Sequence, residues 1–229
     1  MKLYIVATPL GNLKDITLRA LEILKSVPLV TCEDTRVSGK LLAAYEIKTK
    51  TVSYHQHSTA GKVDFLLDKL AEVGEMAVIT DAGTPGISDP GNLLVEAVVK
   101  KFGDKCIIIP IPGPSAIISI LSVSGLPTDR FLFLGFLPHK KGKETMLKRI
   151  IDSEETAIFY ESTHRIIKSL EKLEELMMSS GINNNRRIVV GRELTKKFET
   201  IYRGNIKQVL EKLKSDTTKG EFVVVVEGR

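Results

Sequence analysis

Short apolar, β-branched runs recur at 3–7, 29–32, 51–54, 76–80 and 106–109, and stretches with helical apolar spacing separate them. The alternation predicts βαβαβαβαβ. Ile16, Leu18, Leu21, Ile23 and Leu24 form one helix face behind Asp15, read as an N-cap; Phe65, Leu66, Leu70 and Val73 form another. Strands apolar on both faces and alternating with helices imply a mainly parallel sheet flanked by helices. After a last helix over 114–123, the Gly/Pro-containing stretch Ser124-Gly125-Leu126-Pro127-Thr128-Asp129-Arg130 marks a boundary. The organisation expected is an N-terminal α/β domain over 1–124, a linker over 125–135 and a C-terminal domain over 136–229. In the second half the pattern predicts helices near 144–151 and 165–178 and strands at 156–160, 187–190, 199–203 and 222–226. This is a mixed-sheet α+β domain with hairpin pairing.

The loops between these elements change the picture. Thr80-Asp81-Ala82-Gly83-Thr84-Pro85-Gly86-Ile87-Ser88-Asp89-Pro90-Gly91 packs three Gly, two Pro and two Asp directly after an apolar run. A buried strand ending in residues free to take positive φ presents bare N–H groups and carboxylates at its carboxyl end, where open α/β sheets bind ligands. Thr8-Pro9-Leu10-Gly11-Asn12 follows the first strand, and Ile111-Pro112-Gly113-Pro114-Ser115-Ala116 follows the fifth. Each alone reads as a structural turn. Three at one sheet edge form a ring of close-approach backbone suited to a cofactor. The chain has no Gly-x-Gly-x-x-Gly in strand–turn–helix context and no Gly-x-x-x-x-Gly-Lys-Ser/Thr, which weighs against a dinucleotide enzyme or an NTPase.

Composition adds constraints. Thirty-three Lys and Arg against 28 Asp and Glu give a net charge of +5, which favours an anionic partner without demanding one. The two cysteines, Cys32 and Cys106, sit in apolar runs as small hydrophobes, so a disulfide framework and a thiolate metal site are excluded. Met1-Lys2-Leu3-Tyr4-Ile5-Val6 enters an apolar run directly, without the layout of a secretory leader, so a cytoplasmic location is expected. No run approaches the roughly 20 apolar residues of a membrane span, so no membrane partner is expected.

Several segments carry a resemblance: Leu3-Tyr4-Ile5-Val6-Ala7-Thr8-Pro9-Leu10-Gly11-Asn12-Leu13, Glu33-Asp34-Thr35-Arg36, 81–91 and Pro112-Gly113-Pro114-Ser115-Ala116. So do Gly125-Leu126-Pro127-Thr128-Asp129-Arg130-Phe131, Gly135-Phe136-Leu137-Pro138, Phe159-Tyr160-Glu161-Ser162-Thr163-His164-Arg165 and Arg192-Glu193-Leu194-Thr195-Lys196. Together they resemble the tetrapyrrole methylase superfamily, and within it the branch that methylates a cytidine ribose 2′-hydroxyl of small-subunit (16S) ribosomal RNA. The resemblance spans nearly the whole chain. It implies two α/β domains of tetrapyrrole methylase type with S-adenosyl-L-methionine (SAM) in a cleft between them, and a homodimer. The partner it implies is small-subunit ribosomal RNA or the assembled small ribosomal subunit. Carried over, Leu10, Gly11, Asp81, Ala82, Gly83, Thr84, Pro85, Ser115 and Ala116 border SAM. Tyr160, Glu161, Arg192, Glu193 and Leu194 approach its adenosine side. Ala7 and Thr80 depart from the expected Pro and Ser and disturb no group the chemistry needs. Two alternatives are a tetrapyrrole or other small-molecule acceptor within the superfamily, and a non-catalytic RNA-binding or ribosome-assembly module.

A ribose hydroxyl is a weak nucleophile, so a side chain must accept its proton or stabilise alkoxide charge. The catalytic candidates are Glu33, Asp34, Arg36 and Lys196. Glu33 and Asp34 at a strand end beside Arg36 suit that work, but Asp34 reads equally as a helix N-cap with Arg36 as a phosphate or salt-bridge partner. His55 and His57 lack a third ligand along the sequence and read as loop histidines, so no metal is expected. The candidate RNA contacts are Lys140, Lys141 and Lys143 in His139-Lys140-Lys141-Gly142-Lys143, together with Arg165. Aromatic residues are 6% with no Trp, so extensive base stacking is not advertised.

Overall fold

The computed structural model describes residues 1–55, 60–89, 91–181 and 185–229. The chain divides into two compact units, Met1–Ser115 and Ala116–Arg229. In the first, β1 (Lys2–Val6), α1 (Leu18–Ser26), β2 (Leu29–Cys32), α2 (Thr35–Ala44), β3 (Lys50–Ser53), α3 (Ala60–Val73), β4 (Glu75–Val78), α4 (Asn92–Phe102) and β5 (Ile107–Ile111) alternate as the pattern predicts. Their strands form one parallel sheet in the order β3-β2-β4-β1-β5.

Side chains of successive strand residues point to opposite faces, and the sheet uses both. Tyr4, Val6, Val30, Cys32 and Ala77 pack with Ala20 and Leu24 of α1 and Leu41 and Leu42 of α2. Leu3, Leu29, Met76 and Val78 pack on the other face with Leu66 and Leu70 of α3 and Leu94 and Val98 of α4. The connection from β1 to β2 crosses β4, and the one from β4 to β5 crosses β1 in the opposite direction. The loops after these two neighbouring strands therefore diverge at the carboxyl edge, which is where ligands of such sheets bind. Pro110 falls in the edge strand β5, where a missing N–H is tolerated.

Asp15 does not cap α1. It ends a 3-10 turn, Leu13–Asp15, opened by Asn12, whose side chain accepts from Lys14 N–H; Ile16 then takes extended backbone and Thr17 starts the helix afresh. Thr17 Oγ1 accepts from Ala20 N–H at 3.1 Å.

The second unit contains α5 (Ala116–Ser122), β6 (Phe131–Phe136), α6 (Lys143–Asp152), β7 (Thr156–Ser162), α7 (Ile166–Ser179), β8 (Ile188–Arg192), β9 (Thr200–Gly204), α8 (Ile206–Ser215) and β10 (Glu221–Val226). Its sheet runs β6-β7-β10-β8-β9, with β6 and β7 parallel and the remaining pairs antiparallel. Phe159, Val190, Phe222 and Val224 pack under α6, α7 and α8; Ile158, Val189, Val223 and Val225 pack with Ile117, Ile120 and Leu121 of α5.

That packing moves the boundary. The sequence pattern leaves the helix after Ser115 in the first domain, yet its apolar face is buried against the second sheet, so the division falls at Ser115/Ala116. The expected linker holds a strand, β6. Helix α8 has no counterpart in the expected pattern, although its capping box, Asn205 with Gln208, and its buried Ile206, Val209, Leu210 and Leu213 announce it.

Candidate active site

Parallel strands bring the loops after β1, β4 and β5 to one edge of the first unit, and hydrogen bonds join them. Thr8 N–H donates to Gly83 O at 2.9 Å, and Gly83 N–H donates to Thr8 O at 3.0 Å, an isolated antiparallel bridge. Thr8 Oγ1 donates to Thr80 O at 2.9 Å, and Thr84 Oγ1 to Pro114 O at 3.4 Å. Gly83 holds φ +83, and a Cβ there would stand 3.5 Å from Leu10 Cδ2 and 4.0 Å from Pro114 O. Leu10, Gly11, the 81–85 segment and the 112–115 turn thus form one continuous rim, with Gly11 exposed and Leu10, Asp81, Ala82, Thr84 and Ser115 half-buried. The 3.5 and 4.0 Å at Gly83 are ordinary contact distances, so Gly83 is required by its φ; the close approach is at Gly113, whose Cβ would meet Ala7 Cβ at 3.0 Å.

Beside this rim is a cavity of about 400 Å³ lined by Glu33, Asp34, Thr35, Ser53, His55 and Asp81, all at the carboxyl ends of β2, β3 and β4. Asp34 does both things the sequence left open. It caps α2, accepting from Arg36 N–H at 2.8 Å, and pairs with the Arg36 guanidinium, whose Nη2 lies 2.6 Å from Oδ2. The Arg36 side-chain and backbone donors hold its carboxyl down at about 2. Asp81 behaves oppositely. Burial pushes its pKa up, Asp34 N–H donating to Oδ1 at 3.2 Å pulls it down, and the Glu33 and Asp34 charges push it up again; the net shift is upward. Glu33 Oε2 accepts from Thr80 Oγ1 at 2.9 Å, so Thr80 supplies the donor a serine would. Ser53 is a lining residue that the sequence reading missed. Its position at a strand's carboxyl end was the signal.

In the second unit, Glu161 is 1% exposed and its contacts are internal: Arg165 Nε at 3.0 Å, Ser169 Oγ at 2.6 Å and Ser162 N–H at 2.9 Å. Arg165 in turn donates to the carbonyls of Leu137 and Pro138. Tyr160 is half-buried between Phe133 and Phe136, with ring centroids 5.3 and 5.2 Å away. Arg192 is buried, and its Nε donates to Lys219 O at 2.8 Å. Leu194 is buried in the core beside α5. Lys196 Nζ sits 2.9 Å from Glu193 Oε1 and 2.7 Å from Glu221 Oε2. Burial alone would lower its pKa, but these two carboxylates outweigh that and raise it, so Lys196 stays a cation at neutral pH. Glu193 and Thr195 both hold positive φ, +51 and +67, backbone that costs a non-glycine residue about 1–2 kcal/mol. Such strain in neighbouring residues concentrates at ligand-contacting segments.

Lys140 and Lys141 are exposed and Lys143 half-buried in the turn leading into α6. Burial lowers the Lys143 pKa; Glu161 opposes this, and Arg165 and Lys168 reinforce it. His55 lines the acidic cavity, whereas His57 lies outside the described residues, as do Asn183 and Asn184. Among the described residues no group of three or more His, Cys, Asp or Glu is placed to hold a metal ion, and no helix is long and apolar enough to cross a membrane. Cys32 and Cys106 are buried free thiols whose pKa values burial raises, so neither is a ready nucleophile.

A parallel sheet with a Gly/Pro loop ring, joined to a mixed second domain, defines a class, and the sequence comparison agrees: residues 2–210 match the tetrapyrrole (corrin/porphyrin) methylases, and the chain belongs to that family. Cobalt precorrin-4 methyltransferase superposes with a TM-score of 0.70 at 18% identity, covering 99% of this chain and 94% of that one. The uroporphyrin III C-methyltransferase of Thermus thermophilus gives 0.66 at 15% identity, covering 98% and 97%. These likenesses are of fold.

Among curated proteins, the chain is 46% identical over 230 residues to ribosomal RNA small subunit methyltransferase I of Escherichia coli O157:H7, covering 99% of this chain and 78% of that protein. It is 46% identical to the protein of the same name from Haemophilus influenzae, with the same coverage. To that of Hydrogenobaculum sp. it is 44% identical over 232 residues, covering 99% and 95%. At such identity over nearly its full length, the chain belongs with these ribosomal RNA methyltransferases inside the larger family.

Proposed function

We propose that this chain transfers the methyl group of SAM to the 2′-hydroxyl of a cytidine ribose in small-subunit ribosomal RNA. SAM-dependent methyl transfer is the activity of its family, and ribosomal RNA is the substrate that its 46%-identical relatives are named for. The rim of the first unit fits SAM because the backbone approach at Gly83, φ +83, leaves open the space a Cβ would fill against Leu10. Leu10, Gly11, Ala82, Gly83, Thr84, Pro85 and Ser115 would hold it there, with Asp81 at the end of the rim turned to the acceptor's work. Bound SAM supplies an electrophilic methyl carbon whose leaving group is a neutral thioether.

The chain's own residues must orient the ribose and take its proton. We assign the proton to Asp81. On methyl transfer the 2′-hydroxyl hydrogen would pass to the Asp81 carboxylate, which burial first, and then the Glu33 and Asp34 charges, make a stronger base than an ordinary aspartate. Asp34, held near 2 by Arg36, is too weak a base and positions Asp81 through its backbone N–H. Glu33 is fixed by Thr80, and Arg36 offers an exposed cation to substrate phosphate. Lys196, held protonated by two carboxylates, serves as a cation rather than a base. Positioning contributes the rest, since donor and acceptor held in line convert a bimolecular step into an effectively unimolecular one.

The observation that carries this reading is adjacency: the carboxylate with the raised pKa stands two residues from the glycine that bridges to Thr8. A homodimer and a cytoplasmic location, where the substrate resides, belong to the same reading. The test is label transfer from SAM to unmodified small-subunit RNA by wild type and Asp81→Asn. A loss of roughly 100-fold or more in rate, with SAM affinity retained, is expected; undiminished transfer by Asp81→Asn overturns the assignment.

A further inference from the structure

The aromatic residues are few, but the second unit concentrates them at one place. Phe131, Phe133 and Phe136 of edge strand β6 share a face, and Tyr160 of β7 fills the gap between the last two. The shared face is not what simple alternation gives, because Phe133 and Phe136 are three residues apart. The register explains it: Phe133 pairs with Ile158 and Phe136 with Tyr160, so β6 spends one residue more than β7, and Gly135 at φ +62 absorbs the bulge. The bulge turns Phe136 onto the Tyr160 side, while Leu137 returns to the opposite, buried face. Phe136 is left 57% exposed with its ring tilted 51° against Tyr160.

The segment just beyond Phe136 is held as firmly. Arg165, paired with the buried Glu161, donates to the carbonyls of Leu137 and Pro138, so the base of the basic turn is pinned beside the ring. From that base project Lys140 and Lys141, exposed and without an ion pair among the described residues. An exposed aromatic face on a rigid strand, followed directly by unpaired cations, matches single-stranded nucleic acid: a base has a flat π face and its phosphates need positive charge. A buried hydrophobic role would not leave the ring exposed, and a solubility role would not need the bulge.

We infer that Phe136, buttressed by Tyr160, is a stacking platform for one unpaired base of the RNA substrate, with the flanking phosphates on Lys140, Lys141 and Lys143. This rests on the reading of the chain as an RNA-modifying enzyme, but its test does not depend on methyl transfer. The platform is pre-ordered, so binding does not have to organise it.

The experiment is equilibrium binding of small-subunit RNA without SAM, alongside calorimetric SAM binding and a sedimentation measurement of oligomeric state. Phe136→Ala should weaken RNA binding by about 5- to 150-fold, the span measured for a lost base–aromatic stack, with SAM affinity and oligomeric state unchanged. Phe136→Tyr should bind as wild type, and Phe136→Leu, which keeps apolar bulk without a π face, should not. Because Phe136 is exposed, all three should fold; a thermal melt checks this. Unchanged RNA affinity in Phe136→Ala would overturn the proposal, and so would full rescue by Leu. Loss of SAM affinity would make the ring part of the cofactor site, and dissociation of an oligomer would make it a self-interface; either result rejects the platform. If wild type binds RNA as described but transfers no methyl group, the methyltransferase reading fails while the platform stands.

Discussion

Thr8 and Gly83 exchange two backbone hydrogen bonds, 2.9 and 3.0 Å long, across an antiparallel bridge that ties together loops following two parallel strands. The bridge fixes the rim at which we place SAM, and it requires Gly83 at φ +83. A β-branched side chain tolerates that conformation badly and would fill the space against Leu10. Gly83→Val should therefore remain folded in its second unit yet give no calorimetric signal with SAM. Unchanged SAM affinity would reject the rim as the cofactor site.

Asp81 links stability to pH with a sign opposite to that of an ion-paired carboxylate. Its folded pKa is raised, so the native state binds the proton more tightly than the unfolded state does. The charge is costly above the folded pKa and costs nothing below the unfolded value of about 3.9. Asp81→Asn keeps an acceptor for Asp34 N–H and removes the charge. It should melt higher than wild type at pH 7, with the difference shrinking as pH falls through the acid range. A lower melting temperature at pH 7 would contradict the raised pKa. Stabilisation joined to lost activity is the trade expected of a catalytic group.

Glu161 belongs to the architecture of the basic turn. Glu161→Ala would leave the Arg165 guanidinium without its buried carboxylate and should cost about 3–5 kcal/mol in denaturant unfolding. Glu161→Gln, which keeps an acceptor for Ser169, should cost less. Amide exchange across 137–143 should rise in the alanine variant, because the donor to Leu137 and Pro138 loses its anchor. A cost below about 1 kcal/mol, the scale of a surface pair, would contradict this role.

Replacing Lys140, Lys141 and Lys143 together by Ala should weaken RNA binding at low salt and flatten its salt dependence. If all three neutralise phosphates of a single strand, the slope of log K against log salt should fall in magnitude by about 2. An unaltered slope would remove this turn from the RNA contact, whatever happens to affinity at one salt concentration.

Much of this was legible in the chain because local signals and tertiary demands coincide. The central strands β1, β2 and β4 of the first unit are buried on both faces, so their apolar runs are nearly continuous, and the Gly/Pro loops after β1, β4 and β5 stand out from the pattern. The misreadings have physical causes. Asp15 has a capping residue's chemistry, but Asn12 opens a separate turn first and hands the cap to Thr17. Helix α5 shows its apolar face without showing which sheet covers it, and only the contacts of Ile117 and Ile120 assign it to the second unit. Phe131 to Phe136 follows a Gly/Pro turn and contains a glycine, which masks a strand whose bulge needs that glycine. The acidic cavity was half visible: Glu33 and Asp34 adjoin in sequence, but Asp81 and Ser53 join them only through strand order.

The most direct test of the account is transfer of radiolabelled methyl from SAM to small ribosomal subunits and naked ribosomal RNA lacking the modification, followed by digestion to nucleosides. Label recovered as 2′-O-methylcytidine is the predicted result. Label on a base, or none in either RNA from protein that still binds SAM, would contradict it.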